Sequence, residues 1–180
     1  SGANDLSERT TKQAATIEET SASVEQLSSA VQENAARAAT ASQKAQAAEA
    51  AQSVTQDVRS RHALGTVSNP VFKEMYRRPA TSAGASLLAG ELLKHGGVIY
   101  SPAGGTHHGM PDRANGFCYL NDPVLAIQSL RRNGAQKIAY VDIDAHHPDG
   151  VEHAFADDPD TLQISVHEEN RWPRTGQMAD

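Results

Sequence analysis

Asp142-Ile143-Asp144-Ala145-His146-His147-Pro148-Asp149-Gly150 gathers carboxylates and imidazoles into one short stretch, directly after the apolar run 138–141. Carboxylate oxygen with imidazole nitrogen is a donor set suited to zinc, manganese or a similar divalent ion. Alternate residues leaving a strand point the same way, so Asp142, Asp144 and His146 are expected to converge on one point. In open α/β sheets the carboxyl ends of parallel strands are where ligands gather. The alternative is an acidic loop around satisfied core histidines.

A second cluster, Gly104-Gly105-Thr106-His107-His108, follows the apolar stretch 98–100. Glycines let backbone approach a substrate, and histidine is the side chain best matched to proton transfer near neutral pH. Such histidine pairs also arise as caps or incidental surface residues.

Positioning these clusters requires a framework. Residues 98–100, 137–142 and 161–167 are expected as strands, and 79–94 as a helix stopped by Gly96-Gly97. A second helix is expected over 123–133, with Asn121 or Asp122 as its cap and Gly134 as its stop. Helices alternating with strands predict an α/β domain with a parallel sheet.

The first 61 residues differ in kind. They hold no proline, histidine or aromatic residue and a single glycine, Gly2, whereas all 8 prolines and all 8 histidines come later. The shift marks a boundary, with 59–66 as the junction, giving 1–60 and 61–180 as the two parts. Ile17, Thr20, Val24, Leu27, Val31, Asn34, Ala38, Ala41, Ala45 and Ala48 alternate by three and four, the seam of a long coiled-coil helix that needs partners. Self-association through 1–58 is therefore expected.

From about residue 64 onward the chain resembles the zinc-dependent histone deacetylase superfamily, including bacterial acetoin-utilisation and acetylpolyamine amidohydrolase relatives. The resemblance rests on Asn69-Pro70-Val71-Phe72, the paired histidines, Gly116-Phe117-Cys118-Tyr119-Leu120-Asn121-Asp122 and the metal loop. Ser165-Val166-His167-Glu168 and Trp172-Pro173-Arg174-Thr175-Gly176 extend it. It implies that Asp144 and His146 are zinc ligands, with His107 and His108 beside the activated water. Asp142 and Asp149 would orient His107 and His108 respectively. Phe117 and Trp172 would wall a narrow acyl-lysine channel. Ser165 and Val166, with Asp142, Asp144 and His146, would form a potassium site. The implied activity is hydrolysis of the amide of acetyl-lysine or an acetylated polyamine, with Zn2+ and K+ as cofactors.

The family has glycine where this chain has Pro148, and proline fixes φ near −65° and removes an amide donor. The family's third zinc ligand and catalytic tyrosine have no counterpart here, so a truncated arginase/deacetylase-like domain, inactive as it stands, is expected. An arginase-like binuclear manganese ureohydrolase is a further reading of Asp144-Ala145-His146.

Over 2–58 the chain resembles the cytoplasmic signalling helices of bacterial methyl-accepting chemotaxis receptors. Small residue pairs flank Glu18-Glu19 and, seven residues on, Glu25-Gln26. By that resemblance Glu19 and Gln26 are methylation positions, where loss of charge shifts helix packing. The whole would be a fusion of a receptor-type helix with a partial deacetylase-like domain. The competing reading is a signalling coiled coil with a non-catalytic appendage.

A net charge of −6 argues against nonspecific nucleic-acid binding. One cysteine, Cys118, excludes an internal disulfide framework and is expected as a buried reduced thiol. No apolar run is long enough for a membrane span and no signal peptide is visible, so a cytoplasmic fragment is expected.

Overall fold

The computed structural model describes residues 2–177; within its first helix the side chains of 2–8, 23, 24, 26–28, 30, 31, 33–35, 37 and 38 lie outside the described set. Helix α1 spans Gly2–Ala51. It has no proline, and alanine, glutamine and glutamate favour helix at most positions. Packing divides the chain into two compact units, Ser1–Thr40 and Ala41–Asp180. The first is helix alone, and its residues 9–22 are exposed, Ile17 and Glu19 among them. Gln26, the other expected modification position, is among the side chains that are not described, as are Val24 and Leu27.

The second unit begins inside α1. Ala45 and Ala48 pack with Val54, Val58, Leu64, Val71, Phe72, Met75, Ala114 and Tyr119 in one apolar cluster. Helix α2, Gln56–His62, supplies Val58 and starts where the Thr55 hydroxyl accepts the Val58 amide at 3.3 Å. The stretch read as a junction therefore contributes to a core. Glu49, near the end of α1, accepts the Tyr76 and Arg77 amides at 2.6 and 3.0 Å. These open helix α3, Arg77–Leu92, whose N-cap Tyr76 makes no side-chain capping bond. A remote carboxylate thus satisfies donors that the first turn leaves unpaired.

Helix α3 continues as a 3-10 turn, Leu93–His95, and ends at Gly96 with φ 78°, close to the expected bounds. Helix α4, Asp122–Arg132, also matches expectation, with the Asn121 side chain accepting the Val124 amide at 3.1 Å. Small residues let α3 and α4 cross closely. Ser129 is fully buried and donates to the Leu87 carbonyl at 2.8 Å, beside Gly90.

Strands β1, Ile138–Asp142, and β2, Thr161–Ser165, pair in parallel, from Ile138 opposite Thr161 to Asp142 opposite Ser165. The connection between them holds helix α5, Asp149–Phe155, which the sequence reading had not delimited. Ile127, Val151 and Phe155 form a second core with Val124, Ile138 and Tyr140, which covers one face of the pair. Val141, Leu162 and Ile164 stay exposed on the other.

Two expectations are corrected. Residues 98–100 form no strand, and Val98 and Tyr100 are exposed. A strand exists only with a ladder partner, and among the described residues the sheet consists of β1 and β2. Strand β2 stops at Ser165 instead of residue 167, level with the end of β1 at Asp142. Among the described residues, no helix is long and apolar enough to cross a membrane.

Candidate active site

Strand β1 ends at Asp142, and the polar residues that follow fold back across the loop carrying His107 and His108. Both histidines are buried. His107 Nδ1 lies 2.6 Å from Asp142 Oδ2, and His108 Nδ1 lies 2.6 Å from Asp149 Oδ1. Each carboxylate fixes its imidazole with the proton on Nδ1 and leaves Nε2 for chemistry. The two Nε2 atoms face one another at 3.0 Å. A hydrogen bond there needs one proton between them, so one ring donates while the other accepts. Such a pair could act as acid and base.

The carboxylates are themselves held. Asp142 accepts from the Tyr140 hydroxyl, and its Oδ1 accepts the Asp144 amide at 2.9 Å. Burial alone pushes the Asp142 carboxyl up, but the bonds from His107, Tyr140 and the Asp144 amide outweigh it and hold the group below the usual carboxylate range. Tyr140 moves the opposite way, its phenol raised by burial and by the Asp142 carboxylate it donates to. Asp149 Oδ2 accepts from Asn115 at 2.9 Å. Tyr140 and Asn115 escaped the sequence reading because neither stands out by type; only folding puts them behind a carboxylate.

Asn121 or Asp122 was expected as the cap of this helix; Asn121 caps it, and both do more. The Asn121 amide donates to the His107 and Gly109 carbonyls at 3.1 and 2.9 Å. Buried Asp122 accepts the Thr106 amide at 2.8 Å, the Thr106 hydroxyl at 2.6 Å and the Ser86 hydroxyl at 2.8 Å. The start of α4 thus clamps the histidine loop from both sides.

Asp144 and His146 come together, with Asp144 Oδ1 3.0 Å from His146 Nδ1 and 3.9 Å from His107 Nε2. The His146 amide also donates to Asp144 Oδ1 at 2.7 Å, which, with the imidazole, holds this carboxyl below its usual range. Asp142 does not join them as a third converging donor: it is buried behind His107, while Asp144 is half exposed. One carboxylate and one imidazole fit a divalent ion in kind and in convergence, but they are two donors. Among the described residues no group of three or more His, Cys, Asp or Glu side chains could hold a metal.

Pro148 is accommodated. Its φ is −79°, an angle proline favours, and its carbonyl accepts the Val151 and Glu152 amides at 3.0 Å to open α5. His147 is buried and bonded to the Thr175 hydroxyl at 2.8 Å; burial lowers its pKa.

Trp172 packs edge-on against His108, ring centres 4.7 Å apart, and more loosely against His146 at 6.2 Å. Phe117 is exposed at a φ of 65°, its amide bonded to Asn69 Oδ1 at 3.0 Å. Gly116 beside it leaves no room for a side chain under the Trp172 ring. Trp172 therefore borders His108, and Phe117 follows the glycine on which the Trp172 ring rests. Ser165 lies across the sheet from Asp142, and its hydroxyl is 2.8 Å from His167 Nδ1. The Asp142 carbonyl accepts the Val166 amide at 2.9 Å. Cys118 is buried and free, its thiol pushed up by burial.

Against known proteins, the family model described as histone deacetylase domain matches residues 4–180. The acetoin utilization protein AcuC of Bacillus subtilis (strain 168) is 38% identical over 123 residues, 66% of this chain and 32% of that protein. Histone deacetylase 2 of Oryza sativa subsp. japonica is 41% identical over 114 residues, 62% of this chain and 22% of that one. A crystal structure of an HDAC homolog complexed with SAHA superposes with a TM-score of 0.72 at 36% identity, covering 77% of this chain and 38% of the other. The HDAC homolog from Aquifex aeolicus gives 0.68 at 38% identity, covering 71% and 34%. The chain spans about a third of the length of the AcuC relatives it matches.

Proposed function

The chain belongs to the histone deacetylase family, and from that premise we propose that its second unit is part of a zinc-dependent deacetylase acting on acetylated lysine or an acetylated polyamine. The observation that carries this reading is the pair of buried His–Asp dyads, His107–Asp142 and His108–Asp149, facing the Asp144–His146 pair. Asp144 and His146 would hold the metal, which when bound supplies polarisation of the amide carbonyl and a more acidic water. His107 and His108 have the geometry to take a proton from the attacking water and return one to the leaving amine at Nε2. Asp142 and Asp149 fix which nitrogen is free for that work. Trp172 and Phe117 offer flat apolar faces to an extended methylene chain. A potassium ion is assigned to Ser165 Oγ, Val166 and the backbone oxygens of Asp142, Asp144 and His146, where it would brace the metal loop.

We read α1 as a signalling helix of the chemotaxis-receptor kind, joined to this deacetylase part and self-associating, with Glu19 and Gln26 as its modification positions. Its support is a repeated small-pair and acidic pattern on a helix whose residues 9–22 are exposed.

The enzyme reading is tested by exchanging the matched stretch of the Bacillus subtilis relative for residues 64–180 and assaying acetyl-lysine peptide, acetylated polyamine and a guanidino substrate. The chimera is expected to turn over an acetylated substrate. Asp144→Ala should lose metal and activity together, whereas His108→Ala should keep zinc and lose turnover by about 10²–10⁴. Equal loss of zinc in both variants, or a folded chimera active only on the guanidino compound, contradicts the assigned roles.

A further inference from the structure

We propose that Glu49 is a positioning residue for the loop that carries His107 and His108, acting on it through helix α3. The catalytic meaning of this coupling rests on the reading of the histidine pair as the reacting site; the coupling itself does not.

Helix α3 is poorly equipped to start by itself. Its N-cap, Tyr76, makes no side-chain capping bond, and Pro79 stands in the first turn. Proline has no amide to satisfy, and the Arg78 amide reaches the Glu74 carbonyl at 3.0 Å. The two amides that remain, those of Tyr76 and Arg77, both donate to Glu49 Oε2, at 2.6 and 3.0 Å. One carboxylate from α1 therefore satisfies every donor the first turn leaves over, and it sets negative charge at the positive end of the helix dipole. Inside α3, Thr81, Ser82, Gly84, Ser86 and Gly90 favour helix less than alanine or leucine would. The support at the start matters more for that reason. Ser42, two turns back along α1 from Glu49, donates to the Tyr76 hydroxyl at 2.8 Å and fixes the same residue from a second direction.

The buried face of α3 meets the histidine loop. Ser82 and Ser86 lie one turn apart on that face, and both donate to remote acceptors instead of their own helix. Ser82 bonds the Ala103 carbonyl, and Ser86 bonds Asp122 Oδ2 at 2.8 Å. Asp122 Oδ1 accepts the Thr106 amide at 2.8 Å and its hydroxyl at 2.6 Å. Residues 103 and 106 are thus both held to α3, one directly and one through Asp122, and His107 follows at once. Gly104, between them, lies against the same carboxylate, since a Cβ there would stand 2.5 Å from Asp122 Oδ2. Ser82 is within about a turn and a half of the helix start. Fraying that begins where Glu49 is lost therefore reaches the first of these contacts. Asp142 and Asp149 orient the imidazole rings, whereas Glu49 steadies the backbone that carries them.

The test is amide hydrogen exchange of the 180-residue chain, followed residue by residue by nuclear magnetic resonance. The Thr106 amide reports on the loop. The Ile138 and Val166 amides, bonded to the Asp160 and Asp142 carbonyls at 2.9 Å, report on the strand pair. In Glu49→Ala, Thr106 should exchange about 5- to 30-fold faster relative to Ile138 and Val166, the factor expected for losing a helix cap. Glu49→Gln keeps an acceptor oxygen without the charge, so it should fall between, and it carries the test if the alanine variant does not fold. In a Ser86→Ala background the loop has already lost its tie to α3 through Asp122, and Glu49→Ala should accelerate Thr106 by less than it does alone. Equal acceleration of loop and strand amides would mean that Glu49 serves stability only, and it overturns the proposal. So does an unchanged Thr106 amide, or an undiminished effect in the Ser86→Ala background. A loop that answers to Glu49 while the chimera described above stays inactive upholds the coupling and removes the catalytic reading, which tells the two failures apart.

Discussion

Gly150 has no room for a methyl group. A Cβ there would stand 2.6 Å from the His107 and Gly109 carbonyl oxygens and 2.8 Å from the Asn121 amide, so α5 packs directly on the histidine loop. Gly84, inside α3, has nothing within 4 Å of where its Cβ would be. The two positions should respond oppositely to the same change. Gly84→Ala should stabilise by about 0.5–1 kcal/mol through helix propensity and a less flexible unfolded chain. Gly150→Ala should cost about 1–3 kcal/mol, because backbone must move to admit the new atom. Thermal melts of both variants check this, and equal melting temperatures would show that α5 does not bear on the loop as described. At this scale the sequence displayed the reactive types plainly. It could not show that Asp142 turns away from Asp144 and His146, since the inference from strand alternation ends where the strand does.

The elements that place the site were partly legible. Helices α3 and α4 were readable from proline at their starts, Asn121 as a cap and Gly96 and Gly134 as stops, because capping is local chemistry. Helix α5 is only seven residues long, too short for a clear periodic signal, and the stretch 98–100 looked like a strand because a short apolar run can also be exposed coil. Residues 9–22 of helix α1 are exposed, and Ile17 is 68% exposed. Isolated helices form only marginally in water without a packed face. A peptide of residues 1–58 is accordingly expected to gain helicity with concentration, and Ile17→Ala should weaken that gain. Helicity independent of concentration, followed by circular dichroism, would count against association through the seam.

Across the molecule, apolar surface is distributed unevenly. One core covers one face of the strand pair, while Val141, Leu162, Ile164 and Val166 expose 59%, 60%, 43% and 67% of their surface on and beyond the other. Parallel strands are ordinarily buried on both faces. A patch of this kind favours association. The 180-residue polypeptide should therefore self-associate in sedimentation velocity even when reduced to residues 41–180. Threonine at both Val141 and Ile164 should lower the association state without unfolding it; an unchanged distribution would place the contact elsewhere.

The sequence by itself determined which chemistry was available, one imidazole–carboxylate cluster, one pair of histidines and a compositional break near residue 61, because residue type and local spacing are written in the chain. It also determined both ends of α4 and the glycine stop of α3, where the deciding contacts run between near neighbours. Tertiary structure decided what each group faces: Asp142 behind His107, Asp149 behind His108, Asn115 and Tyr140 behind the carboxylates, and Arg171 against His146. It also joined the last turns of α1 to the core and set Glu49 over the start of α3. Such contacts link residues tens of positions apart. Their partners are fixed by how whole elements pack, and periodicity or composition carries no record of that.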